Sequence, residues 1–137
     1  MALELVYEGV VAGTKNAIAS SITAGAITAG KICCLSAAGE VKFASLTPAS
    51  DKPFGLVADD TEDVVASGKV SVYFTPGLYK TNQTSSTIAK GDLLTFHTDG
   101  SLKTVTGKAG YVVGICTEAA GSDGMIEMML NISGLTA

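Results

Sequence analysis

The only histidine of this chain, His97, stands two positions before Asp99. One short segment therefore brings together an imidazole and a carboxylate, the two groups most suited to acid–base chemistry. A carboxylate at that spacing could orient an imidazole, and the many serines could supply a nucleophile. No Gly-x-Ser-x-Gly elbow or other placed nucleophile accompanies the pair, and His97 falls in a predicted hairpin turn. We therefore interpret His97 as an exposed turn residue. The sequence predicts no catalytic residues, and the chain is not expected to be an enzyme.

Metal binding is the second chemistry to consider. Cys33, Cys34 and Cys116 together with one histidine do not provide four zinc ligands at a usable spacing. Their odd number, and the adjacent pair, indicate free buried thiols in a reducing compartment. The acidic cluster Asp59-Asp60-Glu62-Asp63 lacks the calcium-loop pattern and is interpreted as a solvated loop, although occasional cation binding there stays open. We predict no metal and no cofactor.

Composition excludes some partners. The net charge is −4, the nine basic residues are all lysine, and the rigid guanidinium fork that usually reads phosphates and guanine edges is missing, so nucleic-acid binding is not expected. No segment approaches 18 continuous apolar residues, and the start MALELVYEG has no basic region before an apolar core, so neither a membrane span nor a signal peptide is predicted. Charged residues make up only 16%, which favours a surface that lies partly against partners over a merely Ala/Ser/Thr-rich β domain.

The chain nearly repeats itself. Gly30-Lys31-Ile32 recurs as Gly91-Asp92-Leu93 at a spacing of 61 residues, and Gly55 corresponds to Gly114 at a spacing of 59. The last segment of each copy corresponds at a spacing of 56, with Val70 matching Ile126. Because glycines and alternating apolar residues recur while reactive residues do not, the pattern indicates a duplicated structural unit.

Hydrophobic alternation predicts an all-β fold, a small β-barrel or β-tulip-like domain built from two similar β units. The units cover about residues 29–74 and 90–132 of a single domain at 29–137, preceded by an extended N-terminal arm at 1–28. Related core positions are expected at Leu35, Val41, Phe96 and Leu102. Strands are predicted at 1–11, 31–35, 41–44, 53–58, 69–74, 92–97, 101–105, 111–117 and 125–132, while 12–28 is interpreted as a loose arm and 75–88 as a linker.

The beginning of the arm is the candidate partner-binding site. Leu3, Leu5 and Tyr7 alternate with Glu4 and Val6, which is the pattern of a strand with one apolar face. Pairing with the edge of a partner's sheet uses backbone groups, so it needs neither the arginine nor the tryptophan that this chain lacks.

The order of the motifs resembles one known family. Gly30-Lys31-Ile32-Cys33-Cys34-Leu35, Gly39-Glu40-Val41, Pro53-Phe54-Gly55-Leu56-Val57 and Gly68-Lys69-Val70-Ser71-Val72 are similar to the small capsid cement, or head decoration, proteins of tailed phages. Ile88-Ala89-Lys90-Gly91-Asp92-Leu93-Leu94 and Val113-Gly114-Ile115-Cys116 resemble the C-terminal half of the same family, so the resemblance covers about residues 28–132.

This resemblance implies a structural virion protein, made in the host cytoplasm and placed on the outer surface of the capsid. It implies a homo-oligomer, with a trimer favoured, whose partner is the major capsid protein and which stabilises the capsid by bridging neighbouring subunits. It carries over no catalytic residues. Two alternatives stay open: a receptor- or carbohydrate-binding β module of a phage tail or fibre, and a small enzyme with a barrel active site.

Overall fold

The computed structural model describes residues 3–7, 14–19, 29–35, 40–42, 45–57, 69–74, 76–107 and 111–132, and these ranges contain strands and turns but no helix. Accordingly, no helix in these ranges could cross a membrane. The all-β prediction is confirmed. The strands of the described ranges are β1 (Leu3–Tyr7), β2 (Thr14–Ala19), β3 (Ile32–Leu35), β4 (Glu40–Lys42), β5 (Lys52–Val57), β6 (Lys69–Tyr73), β7 (Gly77–Thr81), β8 (Leu93–Phe96), β9 (Leu102–Thr104), β10 (Gly114–Glu118) and β11 (Ile126–Leu130).

The strands form two sheets rather than one barrel shared by both units. The first has an antiparallel body of four strands in the order β4-β3-β5-β6, and the second has five in the order β9-β8-β10-β11-β7. The N-terminal strands extend both sheets. β1 pairs with β7 at the edge of the second sheet, while β2 pairs with both β4 and β6, which joins the two edges of the first sheet into a closed ring.

The predicted duplication is visible in the backbone hydrogen bonds. The Gly30 amide donates to the Val57 carbonyl at 2.9 Å, and the Gly91 amide donates to the Cys116 carbonyl at 2.7 Å. In return the Val57 amide donates to Lys31 and the Cys116 amide donates to Asp92, both at 2.9 Å. These are the same positions in the two copies, so the repeat in the sequence is a repeat of strand connections.

Each unit contains one strand more than the sequence indicates. In the first unit β2 pairs with β6 so that Ala17 lies opposite Val70, and in the second β7 pairs with β11 so that Thr81 lies opposite Ile126. Since Val70 and Ile126 are equivalent, β2 and β7 are equivalent strands. The predicted linker 75–88 therefore supplies a strand of the second unit, and the second half of the predicted arm supplies a strand of the first. We call β2–β6 the first unit and β7–β11 the second unit.

The two units differ in how the first strand of each pairs with the strand at the opposite edge of its sheet. In the first unit β2 runs parallel to β4, with Ala19 opposite Val41. In the second unit the chain after β7 makes only a single parallel bridge to β9, between Thr84 and Leu102. Val41 and Leu102 are equivalent positions. The same closure is thus present in both units, extended in the first and reduced to one bridge in the second.

Equivalent side chains fill the inside of each unit. Cys33, Val41, Val57 and Val72 are almost fully buried in the first unit, as are their counterparts Leu94, Leu102, Cys116 and Met128 in the second. A second set of apolar side chains joins the units into one cluster, which contains Ala29, Ile32, Leu46 and Leu56 of the first and Tyr79, Phe96 and Leu130 of the second. The Tyr73 and Tyr79 rings meet across this contact with centroids 5.2 Å apart.

One of the four predicted core positions is wrong. Val41, Phe96 and Leu102 are buried, but Leu35 is 38% exposed. The register shift of the β3–β5 pairing between Cys33 and Cys34 places the extra residue, Phe54, on β5, so the alternation of β3 itself continues. Leu35 is the last residue of β3 and lies opposite Val41, just as Phe96 lies opposite Leu102. Its exposure therefore depends on what packs over that end of the unit and not on a change of the strand pattern.

Some predicted features lie outside the described residues. These are the acidic cluster at 59–63, the turn at Gly68 and the turn around Gly39. The equivalent turns of the second unit are described: the Gly100 amide donates to the His97 carbonyl, and the Gly124 amide donates to the Gly121 carbonyl. Both glycines have positive φ, in agreement with their predicted role in closing turns.

Candidate functional site

The turn that joins β8 to β9 carries the histidine and carboxylate that the sequence singled out. His97 Nδ1 lies 3.2 Å from the Thr98 hydroxyl and 3.6 Å from Asp99 Oδ1, and the histidine side chain is half exposed. The exposed turn predicted for His97 is confirmed. The hydroxyl near the His97 imidazole belongs to Thr98, the next residue in the turn, so the geometry of the turn itself brings these two groups together.

Asp99 has a structural task in this turn. Its Oδ1 accepts hydrogen bonds from the Ser101 hydroxyl at 2.6 Å and from the Ser101 amide at 2.9 Å. Its Oδ2 lies 3.9 Å from Lys31 Nζ of the first unit. Partial burial acts to raise the pKa of the Asp99 carboxyl, but the Ser101 hydrogen bonds, Lys31 and His97 outweigh it and hold this pKa below its usual range. Asp99 therefore stays ionised, closes the turn and contacts the other unit.

The three cysteines are buried free thiols, as predicted. Burial raises the pKa of Cys33 to about 12, against a small opposing contribution from its hydrogen bond to the Gly55 carbonyl. Burial is also the main cause that raises the pKa of Cys34 and of Cys116. Thiols are nucleophiles and metal ligands only as thiolates, so these three are inert near neutral pH. Within the described ranges no cluster of histidine, cysteine and acidic side chains is placed to hold a metal ion.

A shallow pocket of about 280 Å³ lies beside the turn between β10 and β11. Glu118, Asp123 and Glu127 line it together with Lys80, whose Nζ is 3.9 Å from Asp123 Oδ2. Glu127 also accepts a hydrogen bond from Thr117 at 3.0 Å. The charged groups are partly or fully exposed to solvent, where such pairs contribute little to stability.

The candidate partner strand lies at a sheet edge. β1 is the terminal strand of the second sheet and pairs with β7 of its own chain, with Leu3 opposite Thr81 and Leu5 opposite Tyr79. The pairing shifts between Leu5 and Tyr7, where Tyr7 lies opposite Leu78. The strand prediction for this segment is confirmed, and partner binding by Leu3, Leu5 and Tyr7 stays a prediction. Among the described strands, the outer edge of β1 has no partner, and another strand could add there.

An apolar row crosses the outer face of the second sheet. Leu93 of β8 lies opposite Ile115 of β10, which lies opposite Met129 of β11, which in turn lies opposite Leu78 of β7. Leu93 is 49% exposed and Ile115 38%, while Met129 and Leu78 are half-buried. The solvated face of an antiparallel sheet normally carries polar side chains, so an apolar row at this place indicates an interaction surface.

Sequence reasoning missed this row. The signal was present at Leu93-Leu94, where two successive apolar residues in a strand must point to opposite sides of the sheet. Which of the two is covered depends on what packs on each side of the sheet, and a pattern within one strand does not contain that information. A second exposed group, Phe74 stacked on Phe54 with centroids 6.1 Å apart, was missed for the same reason.

Comparison with known proteins identifies the fold. No family model matches the chain, and no curated protein does. The chain is similar to a solved structure described as the head fiber gp8.5 N base in bacteriophage phi29, with a TM-score of 0.57 and 19% sequence identity. The match covers 91% of this chain and 98% of that chain. At this identity the likeness shows the fold, and its coverage extends to both β units. The architecture described above is thus also the architecture of a phage head fiber base.

Proposed function

We propose that this chain is a structural protein of the head of a tailed phage. The observation that carries the proposal is the fold likeness to the phi29 head fiber base, which spans nearly the whole of both chains. The motif resemblance to capsid cement proteins is independent of that likeness and favours the same part of the virion. Fold alone does not determine function, so the surface chemistry must be consistent with the role.

The described side chains are consistent with a binding role. The histidine and its carboxylate hold a turn, the thiols are buried and protonated, and the polar pocket is an open group of solvated charges. The exposed apolar residues Leu93 and Ile115, in contrast, lie on β8 and β10, which are inner strands of the second sheet. Apolar groups fixed on a scaffold are what a broad protein contact uses when arginine and tryptophan anchors are absent.

In its finer form the proposal places the protein on the outer surface of the capsid as a trimer that bridges neighbouring major capsid subunits. Internal pressure loads the boundaries between those subunits, and each contact that spans a boundary raises the free energy needed to separate them. Several modest contacts made by one oligomer give strong avidity without a single large hot spot. A free strand edge at β1 and the apolar row on β8 and β10 support this form, because both are suited to contacts of that kind.

Cosedimentation with phage heads tests the proposal. Heads prepared without the protein are mixed with the purified chain, pelleted, and compared with heads before expansion and with an unrelated β domain of similar size. We expect saturable binding to expanded heads, and a higher temperature of DNA release from the decorated heads. Binding with no gain in thermal stability would reject bridging and leave a head-bound role, whereas no binding to any head would reject the proposal.

A receptor- or carbohydrate-binding module of a phage fibre is the second candidate. Phe54 and Phe74 favour it, since they form a nearly parallel pair with an interplanar angle of 7° and Phe74 is 43% exposed. Sugar-binding sites commonly use exposed aromatic rings. Glycan-array binding that is lost in Phe74→Ala and retained in Ala120→Lys would support this function, and the same preparation without affinity for heads would favour it over the first.

A further inference from the structure

The exposed large apolar residues of the two units are complementary. In the part of the chain that the structure describes, these residues are Leu35 and Phe74 in the first unit and Leu93 and Ile115 in the second. The spacings of the repeat give each one a counterpart in the other unit: Phe96 for Leu35, Leu130 for Phe74, Ile32 for Leu93 and Leu56 for Ile115. All four counterparts are at most 1% exposed. What is exposed in one unit is therefore covered in the other.

Two faces explain this pattern. We define face A as Ile32 and Leu56 in the first unit and as Leu93 and Ile115 in the second. Face B is Phe96 and Leu130 in the second unit and Leu35 and Phe74 in the first. Face A is covered only in the first unit, and face B only in the second.

The contact between the units covers both faces at once. Face A of the first unit and face B of the second belong to one apolar cluster. Backbone hydrogen bonds accompany it, from the Ile32 amide to the Gly100 carbonyl at 2.7 Å and from the Leu46 amide to the Thr98 carbonyl at 2.9 Å. Inside the chain, therefore, face A of one unit packs on face B of the next.

Among the residues that the structure describes, this arrangement leaves one face of each kind without a cover. The head-to-tail contact occurs once inside the chain. It leaves face B of the first unit at one end of the molecule and face A of the second unit at the other. A heterologous contact joins different surfaces, so a molecule that carries both can bind a further copy at each end. The repeat thus points to a second copy of this chain as the matching occupant of both faces.

We propose that copies of this chain associate head to tail, with face A of the second unit of one copy packed on face B of the first unit of the next. The first unit retains Gly39 at the position of Gly100, where an added Cβ would lie 2.5 Å from the Ile32 carbonyl oxygen in the internal contact. The Lys31–Asp99 pair has no equivalent, since Asp92 and Ala38 stand at those positions. The contact between copies therefore lacks that ion pair.

Head-to-tail association of this kind is a property of the isolated chain and does not depend on the proposed role in a phage head. It also differs from self-association through a twofold axis, in which the same face would meet itself. The capsid protein and an edge-paired strand are the other occupants that these faces could accept, and the experiment distinguishes them.

Complementing variants test the proposal. The face A variant is Leu93→Lys with Ile115→Lys, the face B variant is Leu35→Lys with Phe74→Lys, and the matched control is Ala120→Lys with Ser122→Lys, two exposed loop positions. All three double variants change the net charge of the chain by the same amount. Light scattering after size exclusion measures the mass of each protein over a range of concentrations, and circular dichroism checks that it is folded. If a lysine pair unfolds the protein, threonine replaces lysine at the same positions.

We expect the unmodified chain and the control to form oligomers, and each face variant to associate roughly tenfold more weakly or not at all. A mixture of the two face variants should then form a species of two chains, about twice the 13.8 kDa of one, because one intact face A meets one intact face B and growth stops there. A monomeric unmodified chain, or face variants that associate as the control does, would overturn the proposal. A mixture of the two face variants that contains only monomers would also overturn it. So would a monomeric unmodified chain together with a face A variant that loses binding to phage heads.

Discussion

Gly55 and Gly114 occupy the same place in the two units and meet the same obstacle. A Cβ at Gly55 would overlap the Tyr73 carbonyl oxygen and lie 2.8 Å from a Val72 methyl group, and a Cβ at Gly114 would overlap the Met129 carbonyl oxygen and lie 2.9 Å from the Met128 methyl group. Each glycine lets the middle strand of its unit approach the neighbouring strand closely. The duplication therefore preserves a packing requirement, and it does so between units whose side chains otherwise differ.

The first prediction follows from that relationship. Gly55→Ala and Gly114→Ala should each lower the free energy of unfolding by about 1–3 kcal/mol, because the added methyl group meets backbone that cannot move alone. Gly121→Ala is the control, since its nearest neighbour would be Asp123 Oδ1 at 3.7 Å. Urea denaturation measures all three. Equal stability of the Gly114→Ala and Gly121→Ala variants would contradict the close approach.

The second prediction concerns the contact between the units. Gly100 and Gly124 have φ of +87° and +74°, so alanine is strained at both, but only at Gly100 would a Cβ lie 2.5 Å from the Ile32 carbonyl oxygen. We expect Gly124→Ala to cost about 1 kcal/mol of unfolding free energy and Gly100→Ala about 1–3 kcal/mol more. The difference between the two losses of unfolding free energy measures the contact between the turn after β8 and β3. Similar losses in both variants would mean that this turn does not contact β3 closely.

The third prediction is a pH dependence that arises from buried thiols. Burial raises the pKa of Cys33 from 9.0 to about 12. Below the lower value the thiol is protonated in the folded and the unfolded chain, whereas between the two values only the unfolded chain ionises. Stability should therefore fall as the pH rises above about 9, by about 2 kcal/mol at about pH 10.5 from this residue.

The Cys33→Ala variant is the control for that prediction. It should be less stable than the unmodified chain near neutral pH, because a buried side chain is truncated, but it should lose less stability on going to alkaline pH. Denaturation midpoints measured from neutral to alkaline pH provide the comparison. If the two proteins lose the same stability over this range, the Cys33 thiol is not the group that titrates.

The fourth prediction concerns β1. Since β1, within the described ranges, pairs only with the outer edge of β7, deletion of residues 1–11 should leave both units folded and the circular dichroism spectrum dominated by strand. We expect the truncated chain to bind expanded phage heads much more weakly, because it loses the candidate partner strand Leu3–Tyr7. Cosedimentation with heads provides the measurement. Unchanged binding by the folded, truncated chain would remove Leu3, Leu5 and Tyr7 from the candidate site.

The sequence alone determined the all-β fold, the duplication, the exposed turn position of His97 and the burial of the three cysteines. These features depend on local alternation, on turn glycines and on the spacing between similar segments, all of which are visible in a linear chain. The resemblance to cement proteins of tailed phages rested on the same glycine and aliphatic positions, and it stays a prediction at the level of that family.

Tertiary structure decided which apolar residues are covered. Leu35 and Phe96 are equivalent in the sequence, yet one is exposed and the other fully buried, because the second unit packs on one face of the first and covers only one face of its own. It also decided that β2 and β7 belong to the units, since a strand in a polar or small-residue segment is defined by the partner that accepts its hydrogen bonds. Burial and pairing are relations between distant segments, and a pattern within one segment does not contain them.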